Sequence, residues 1–171
     1  MKIGKMARNS LLLGIYVCIL AGIIAVSTTS INVAQADLIV CTGPNECLGT
    51  ENADNMLGDD TANQMIGSGG NDLVNGKGDS DRVVGSNDND IVSGGEGSDT
   101  VIGGFAADKL LGGNGDDKVY QSVTGADANE PDGGKDTLDC GPGNDEAWIN
   151  FSVDHDVAVN CETVHGELIV G

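Results

Sequence analysis

Seven aspartates, Asp54, Asp72, Asp81, Asp90, Asp99, Asp108 and Asp117, stand on one nine-residue frame, and Asn63 takes the remaining place in that series of eight. Two residues after each frame position the side chain is apolar: Met56, Met65, Val74, Val83, Val92, Val101, Leu110 and Val119. Four residues after come Gly58, Gly67, Gly76, Gly85, Gly94, Gly103 and Gly112, and only Gln121 departs. Chance does not hold three positions in phase across eight consecutive nonapeptides.

A carboxylate repeated beside glycine-rich turns is hard-oxygen chemistry. Two carboxylates about 5 Å apart repel by roughly 0.8 kcal/mol in water and about 3 kcal/mol at an effective dielectric of 20, so a stacked column of them calls for cations. Calcium suits such a column, because it takes six to eight oxygens in a flexible geometry and a glycine-rich turn offers backbone carbonyls beside the carboxylate. Magnesium demands a stricter octahedron. The competing reading makes these residues turn formers only, a common use of Asp and Gly, and the strict period argues against it.

The best copies are Gly94-Gly95-Glu96-Gly97-Ser98-Asp99-Thr100-Val101-Ile102 and Gly112-Gly113-Asn114-Gly115-Asp116-Asp117-Lys118-Val119-Tyr120. They resemble the G-G-x-G-x-D-x-U-x repeat of RTX-type (hemolysin-type) calcium-binding proteins. The resemblance runs closely from about Gly49 to Gln121 and more loosely from Gly133 to Asp145, where Asp136 and Asp145 are nine apart but one residue out of phase. It implies an all-β, right-handed parallel β-roll in which two nonapeptides make one coil and each ion sits between loops of neighbouring coils. The implied metal-site residues are Asp54, Asp72, Asp81, Asp90, Asp99, Asp108 and Asp117, with Gly94, Gly95, Gly97, Gly112, Gly113 and Gly115 shaping the best turns.

The elements that position these residues must be short strands between turns. Glycine serves where the backbone needs positive φ, whereas the Asp-x-apolar-x stretch alternates as a strand does. Eight repeats would give about four coils, with Asp54, Asp72, Asp90 and Asp108 stacked along one edge and Asn63, Asp81, Asp99 and Asp117 along the other. The residues after the inward-facing ones then point outward. One outer face carries Leu57, Asn75, Ser93 and Leu111; the other carries Ile66, Val84, Ile102 and Tyr120, an apolar column expected to lie under the tail segment of Trp148, Ile149 and Phe151, or to dock a partner or second copy.

Composition supports a fold that depends on counter-charge. The 171 residues include 8 basic and 27 acidic side chains, a net charge of −19, which excludes a nucleic-acid binder. From Asp37 onward the balance is 5 basic against 27 acidic residues, or −22. With about a fifth of that segment Leu, Ile, Val or Phe, it lies near the boundary of disorder.

The chain divides into a leader (1–36), an N-terminal cap (37–48), the repeats (49–121) and a C-terminal cap with the degenerate repeat (122–171). Lys2, Lys5 and Arg8, the apolar run Leu11 to Val26, and Ala34-Gln35-Ala36 form an export-signal pattern with cleavage expected before Asp37. An uncleaved leader would be the one route to a membrane. Beyond it Cys41, Cys47, Cys140 and Cys161 give an even count, read as two disulfides. Three pairings are open; proximity favours Cys41 with Cys47 and Cys140 with Cys161, one staple outside each end of the repeats.

Catalytic patterns are sparse. His155 lies between Asp154 and Asp156 and reads as part of a polar turn, His165 has no evident partner, and Trp148 and Phe151 read as cap core. Asn150-Phe151-Ser152 matches a glycosylation sequon. The expectation is a secreted calcium-binding module with a structural or cell-surface role and a cell-surface or protein partner, not an enzyme. The alternative is an enzyme whose short catalytic tail the roll stabilises.

Overall fold

The structure, a computed structural model, describes residues 36–122, 132–150 and 154–166. The export-signal segment and Phe151 lie outside the described residues. The strands of the first half are β1 (Asp37–Val40), β2 (Glu46–Leu48), β3 (Asp54–Leu57), β4 (Gln64–Ser68), β5 (Leu73–Gly78), β6 (Arg82–Ser86) and β7 (Ile91–Glu96). They are followed by β8 (Thr100–Gly104), β9 (Lys109–Asn114), β10 (Lys118–Tyr120), β11 (Thr137–Asp139), β12 (Glu146–Trp148), β13 (Val157–Val159) and β14 (Thr163–His165).

Odd-numbered strands form one sheet and even-numbered strands the other, in sequence order, each strand parallel to its neighbours. The register is one coil of eighteen residues: Val74 pairs with Val92, and Val83 with Val101. A parallel β-solenoid follows. The coil count is a correction to the sequence-based expectation: each sheet has seven strands, not the four that eight nonapeptides supply. The end segments extend the sheets, because β1, β2 and β11 to β13 turn Ile39, Cys47, Leu138, Ala147 and Ala158 toward the core without the full turn motif.

No single three-residue strand buries enough to be stable, so the core exists only by stacking. Met56, Val74, Val92, Leu110 and Leu138 line up from one sheet against Met65, Val83, Val101, Val119 and Ala147 from the other, all fully buried. At roughly 1.5–3 kcal/mol for each large aliphatic side chain, this thin double column is the main apolar contribution. Disulfides join Cys41 to Cys47 and Cys140 to Cys161, as sequence proximity suggested.

The outer column is covered at Val84 and Ile102, which are buried, but Trp148 does not stand where expected. Trp148 does not cover it and is not cap core; it extends it, stacked on Tyr120 at 4.2 Å between ring centroids and on His165 at 4.6 Å. The register explains this, since Tyr120 pairs with Trp148 and Trp148 with His165 across β10, β12 and β14. His165 also gains a partner, with Nε2 3.1 Å from Glu146 Oε2. Ile149 instead points into the core.

Candidate metal centre

Each frame aspartate opens a strand, where its own N–H would lack a strand partner. That donor is satisfied from the next coil: the N–H of Asp54 donates to Asp72 Oδ1, Asp72 to Asp90 and Asp90 to Asp108, each at 2.8 Å. On the other edge Asn63 donates to Asp81 at 2.7 Å, then Asp81 to Asp99 and Asp99 to Asp117 at 2.8 Å. The carboxylates therefore form two columns, and all seven aspartates are buried.

Both columns run beyond the nonapeptides. Asp108 donates to Asp136 and Asp117 to Asp145, each at 2.7 Å across 28 residues of sequence. Asp136 then donates to Asp156 at 2.9 Å, and Asp145 to Glu162 at 2.8 Å. Asp136 and Asp145 lose the phase in sequence yet keep it in space, because the added residues lie between two stacked coils. The nine-residue spacing between Asp136 and Asp145 was the available signal. Asp156 and Glu162 had none, being 20 and 17 residues further along.

The second carboxylate oxygen is where the columns become chemically interesting. Oδ2 of Asp72, Asp81, Asp90, Asp99, Asp108, Asp117, Asp136 and Asp145 is buried with no hydrogen-bond donor. Such an oxygen is costly unless a cation or proton meets it. Asp54 differs, since its Oδ2 accepts from the N–H of Thr50 at 2.6 Å and from its hydroxyl at 3.0 Å. Asn63 is also complete: Oδ1 accepts from the Asp59 N–H at 2.9 Å, and Nδ2 donates to the Gly43 carbonyl at 3.0 Å.

A glycine five residues before each aspartate leaves room around the orphaned oxygen. A Cβ on Gly94 would fall 2.3 Å from Asp99 Oδ2 and 2.6 Å from the carbonyl oxygen of Gly112 on the next coil. One on Gly76 would fall 2.2 Å from Asp81 Oδ2 and 2.6 Å from the Gly94 oxygen. The turns leading to Asp72, Asp81, Asp99, Asp108 and Asp117 thus each hold a small cradle walled by a carboxylate and a neighbouring carbonyl. Among the described residues no three His, Cys, Asp or Glu side chains converge on one point, so the carbonyls must supply most donors. That set of hard oxygens fits calcium better than a nitrogen- or sulfur-preferring ion.

Two further positions in the turn require a left-handed backbone. In the best copies these are Gly95 and Gly97 (φ 123° and 127°), then Gly113 and Gly115 (φ 121° and 129°). Degenerate turns place Lys77 and Asp79 (φ 79° and 68°), or Ser86 and Asp88 (φ 97° and 70°), at these positions, also with positive φ. L-residues adopt them at a cost, which makes the turns leading to Asp99 and Asp117 the least strained.

The metal-free columns hold protons strongly. Burial is the chief cause, raising Asp72 and Asp81 to about 6, Asp90 and Asp117 to about 7, and Asp108 to about 8. Stacked neighbours add to it, while the backbone N–H received at Oδ1 works the other way. Asp99 is raised for the same first reason.

Among the other sequence candidates, His155 sits in a turn with φ 62° beside Asp156, whose carboxylate is engaged with the N–H groups of Asp136 and Asn150. No curated protein and no solved structure matched the chain. A family model, the RTX calcium-binding nonapeptide repeat (4 copies), matches twice, over residues 48–83 and 84–119, the stretch that carries both aspartate columns from Asp54 to Asp117. The cation these repeats bind is calcium, and residues 48–119 of the chain carry the RTX calcium-binding nonapeptide repeat.

Proposed function

We propose that this is a secreted module whose roll folds when calcium fills its turns, and which then serves as an extracellular structural or cell-surface interaction element without catalysis of its own. The observation that carries the reading is the pair of columns of buried carboxylate oxygens with no donor, those of Asp72, Asp81, Asp99, Asp108 and Asp117 beside a neighbouring carbonyl. A chain with a balance of −22 from Asp37 onward and a thin core has little else to offset their mutual repulsion. The ligands in this reading are Asp72, Asp81, Asp90, Asp99, Asp108 and Asp117 with carbonyls of the turns; Asp54, already satisfied by Thr50, contributes least.

Disulfides at both ends agree with an oxidising, extracellular setting. There, sites of about 10⁻⁴ to 10⁻³ M would be occupied, whereas a low-calcium cytoplasm would leave the chain unfolded. The test is far-ultraviolet circular dichroism during a calcium titration, with Trp148 fluorescence followed alongside. Strand signal should appear cooperatively with calcium and vanish with chelator. A spectrum that a chelator leaves unchanged would reject coupled folding.

A further inference from the structure

One acidic pair has no part in the nonapeptide turns. In the turns leading to Asp72 through Asp117, the residue four before the aspartate has a left-handed backbone, from Ser68 (φ 87°) to Gly113 (φ 121°). Before Asp136 that place is held by Asp132, outside the left-handed region, which brings a second carboxylate into the turn. Asp132 is 8% exposed and Asp136 0%.

One oxygen of each is satisfied. The Gly134 N–H donates to Asp132 Oδ1 at 3.3 Å, and the Asp108 N–H donates to Asp136 Oδ1 at 2.7 Å. The Oδ2 atoms of both are buried with no donor, and the two acids stand four residues apart in one turn. Further negative charge surrounds them from Asp108, Asp154 and Asp156. Lys135 is exposed and partners neither Oδ2; its charge acts on Asp156. Two sheltered carboxyls in one turn, neither Oδ2 with a donor, must be met by a proton or a cation.

We propose that Asp132 and Asp136 together hold a calcium ion of their own, outside residues 48–119, in a site with two carboxylates instead of one. The ion would fasten the seam where stacked aspartates are 28 residues apart, since Asp136 is the residue that receives the N–H of Asp108. Hard oxygens from two acids and adjacent backbone suit calcium's irregular coordination.

The experiment counts ions. Asp132→Asn keeps the acceptor for Gly134 but removes the charge, and calcium bound at saturation is compared with the parent by equilibrium dialysis of the full chain. We expect one ion fewer in the variant with an unchanged far-ultraviolet spectrum at saturation. Equal counts overturn the proposal and leave the pair sharing a proton, with the repeat sites untouched. Should the variant fail to fold, an anomalous difference map of calcium-loaded parent crystals decides: a peak between the two Oδ2 atoms supports the site, and none there rejects it. A parent that binds no calcium anywhere would reject both this site and the repeat reading.

Discussion

Asp117 gives one carboxylate oxygen to the backbone N–H of Asp99, 2.8 Å away on the preceding coil, and keeps the other buried with no donor. One side chain thus closes the strand ladder and presents charge to the turn. The same division of labour recurs at Asp72, Asp81, Asp90, Asp99, Asp108, Asp136 and Asp145, so structure and cation binding are separable by mutation.

Asn substitution separates them. Asp99→Asn and Asp117→Asn keep an oxygen for the neighbouring N–H while removing the charge that faces the cradle. Each should raise the calcium concentration at the folding midpoint by roughly tenfold, about 1.4 kcal/mol. Asp54→Asn should change it far less, because Thr50 already occupies that oxygen. Three equal shifts in the circular dichroism titration would contradict the assignment.

Glycine five before the aspartate tests the cradle itself. Gly94 has no left-handed φ, so Gly94→Ala acts by placing a methyl group against Asp99 Oδ2 and the Gly112 carbonyl. Calcium-dependent folding should weaken sharply. Gly43→Ala is the control: open space surrounds it but φ is 71°, so it should cost about 1 kcal/mol of stability without moving calcium affinity. Isothermal titration of both variants distinguishes blocked binding from backbone strain.

Acid should partly replace calcium. Burial raises Asp72 and Asp81 to about 6, Asp90 and Asp117 to about 7 and Asp108 to about 8, so the metal-free fold binds protons that the unfolded chain releases. The resulting stability is full below the unfolded value of 3.8 and disappears as pH rises through about 6 to 8. In chelator, strand signal should therefore grow as pH falls from 8 to 4, and the calcium concentration at the folding midpoint should fall over the same interval. A metal-free spectrum indifferent to pH would show that these carboxyls do not control folding.

The two disulfides should contribute unequally. Cys140–Cys161 closes a separation of 21 residues and Cys41–Cys47 one of 6, which on chain entropy gives about 3 and about 2 kcal/mol. In saturating calcium, the Cys140→Ser/Cys161→Ser variant should have the lower urea midpoint of the two double variants. The reverse order would mean that the first coil depends more on its staple than loop length implies.

The period of nine determined the strands, the inward column from Met56 to Val119 and the stacking of Asp72 on Asp90, because a β-solenoid repeats in sequence what it repeats in space. Proximity was enough for the cysteine pairs, since each bridge closes a short local loop. What only tertiary structure decided lies where the spacing changes. Asp136 and Asp145 rejoin the columns across 28 residues, and Asp156 and Glu162 follow at irregular distances; coil stacking selects residues by register, and sequence separation does not record register once a turn changes length. The same holds for Trp148 between Tyr120 and His165, and for Thr50 on Asp54. Both depend on which atoms meet when coils or turns close, a matter of three-dimensional neighbours that no linear period contains.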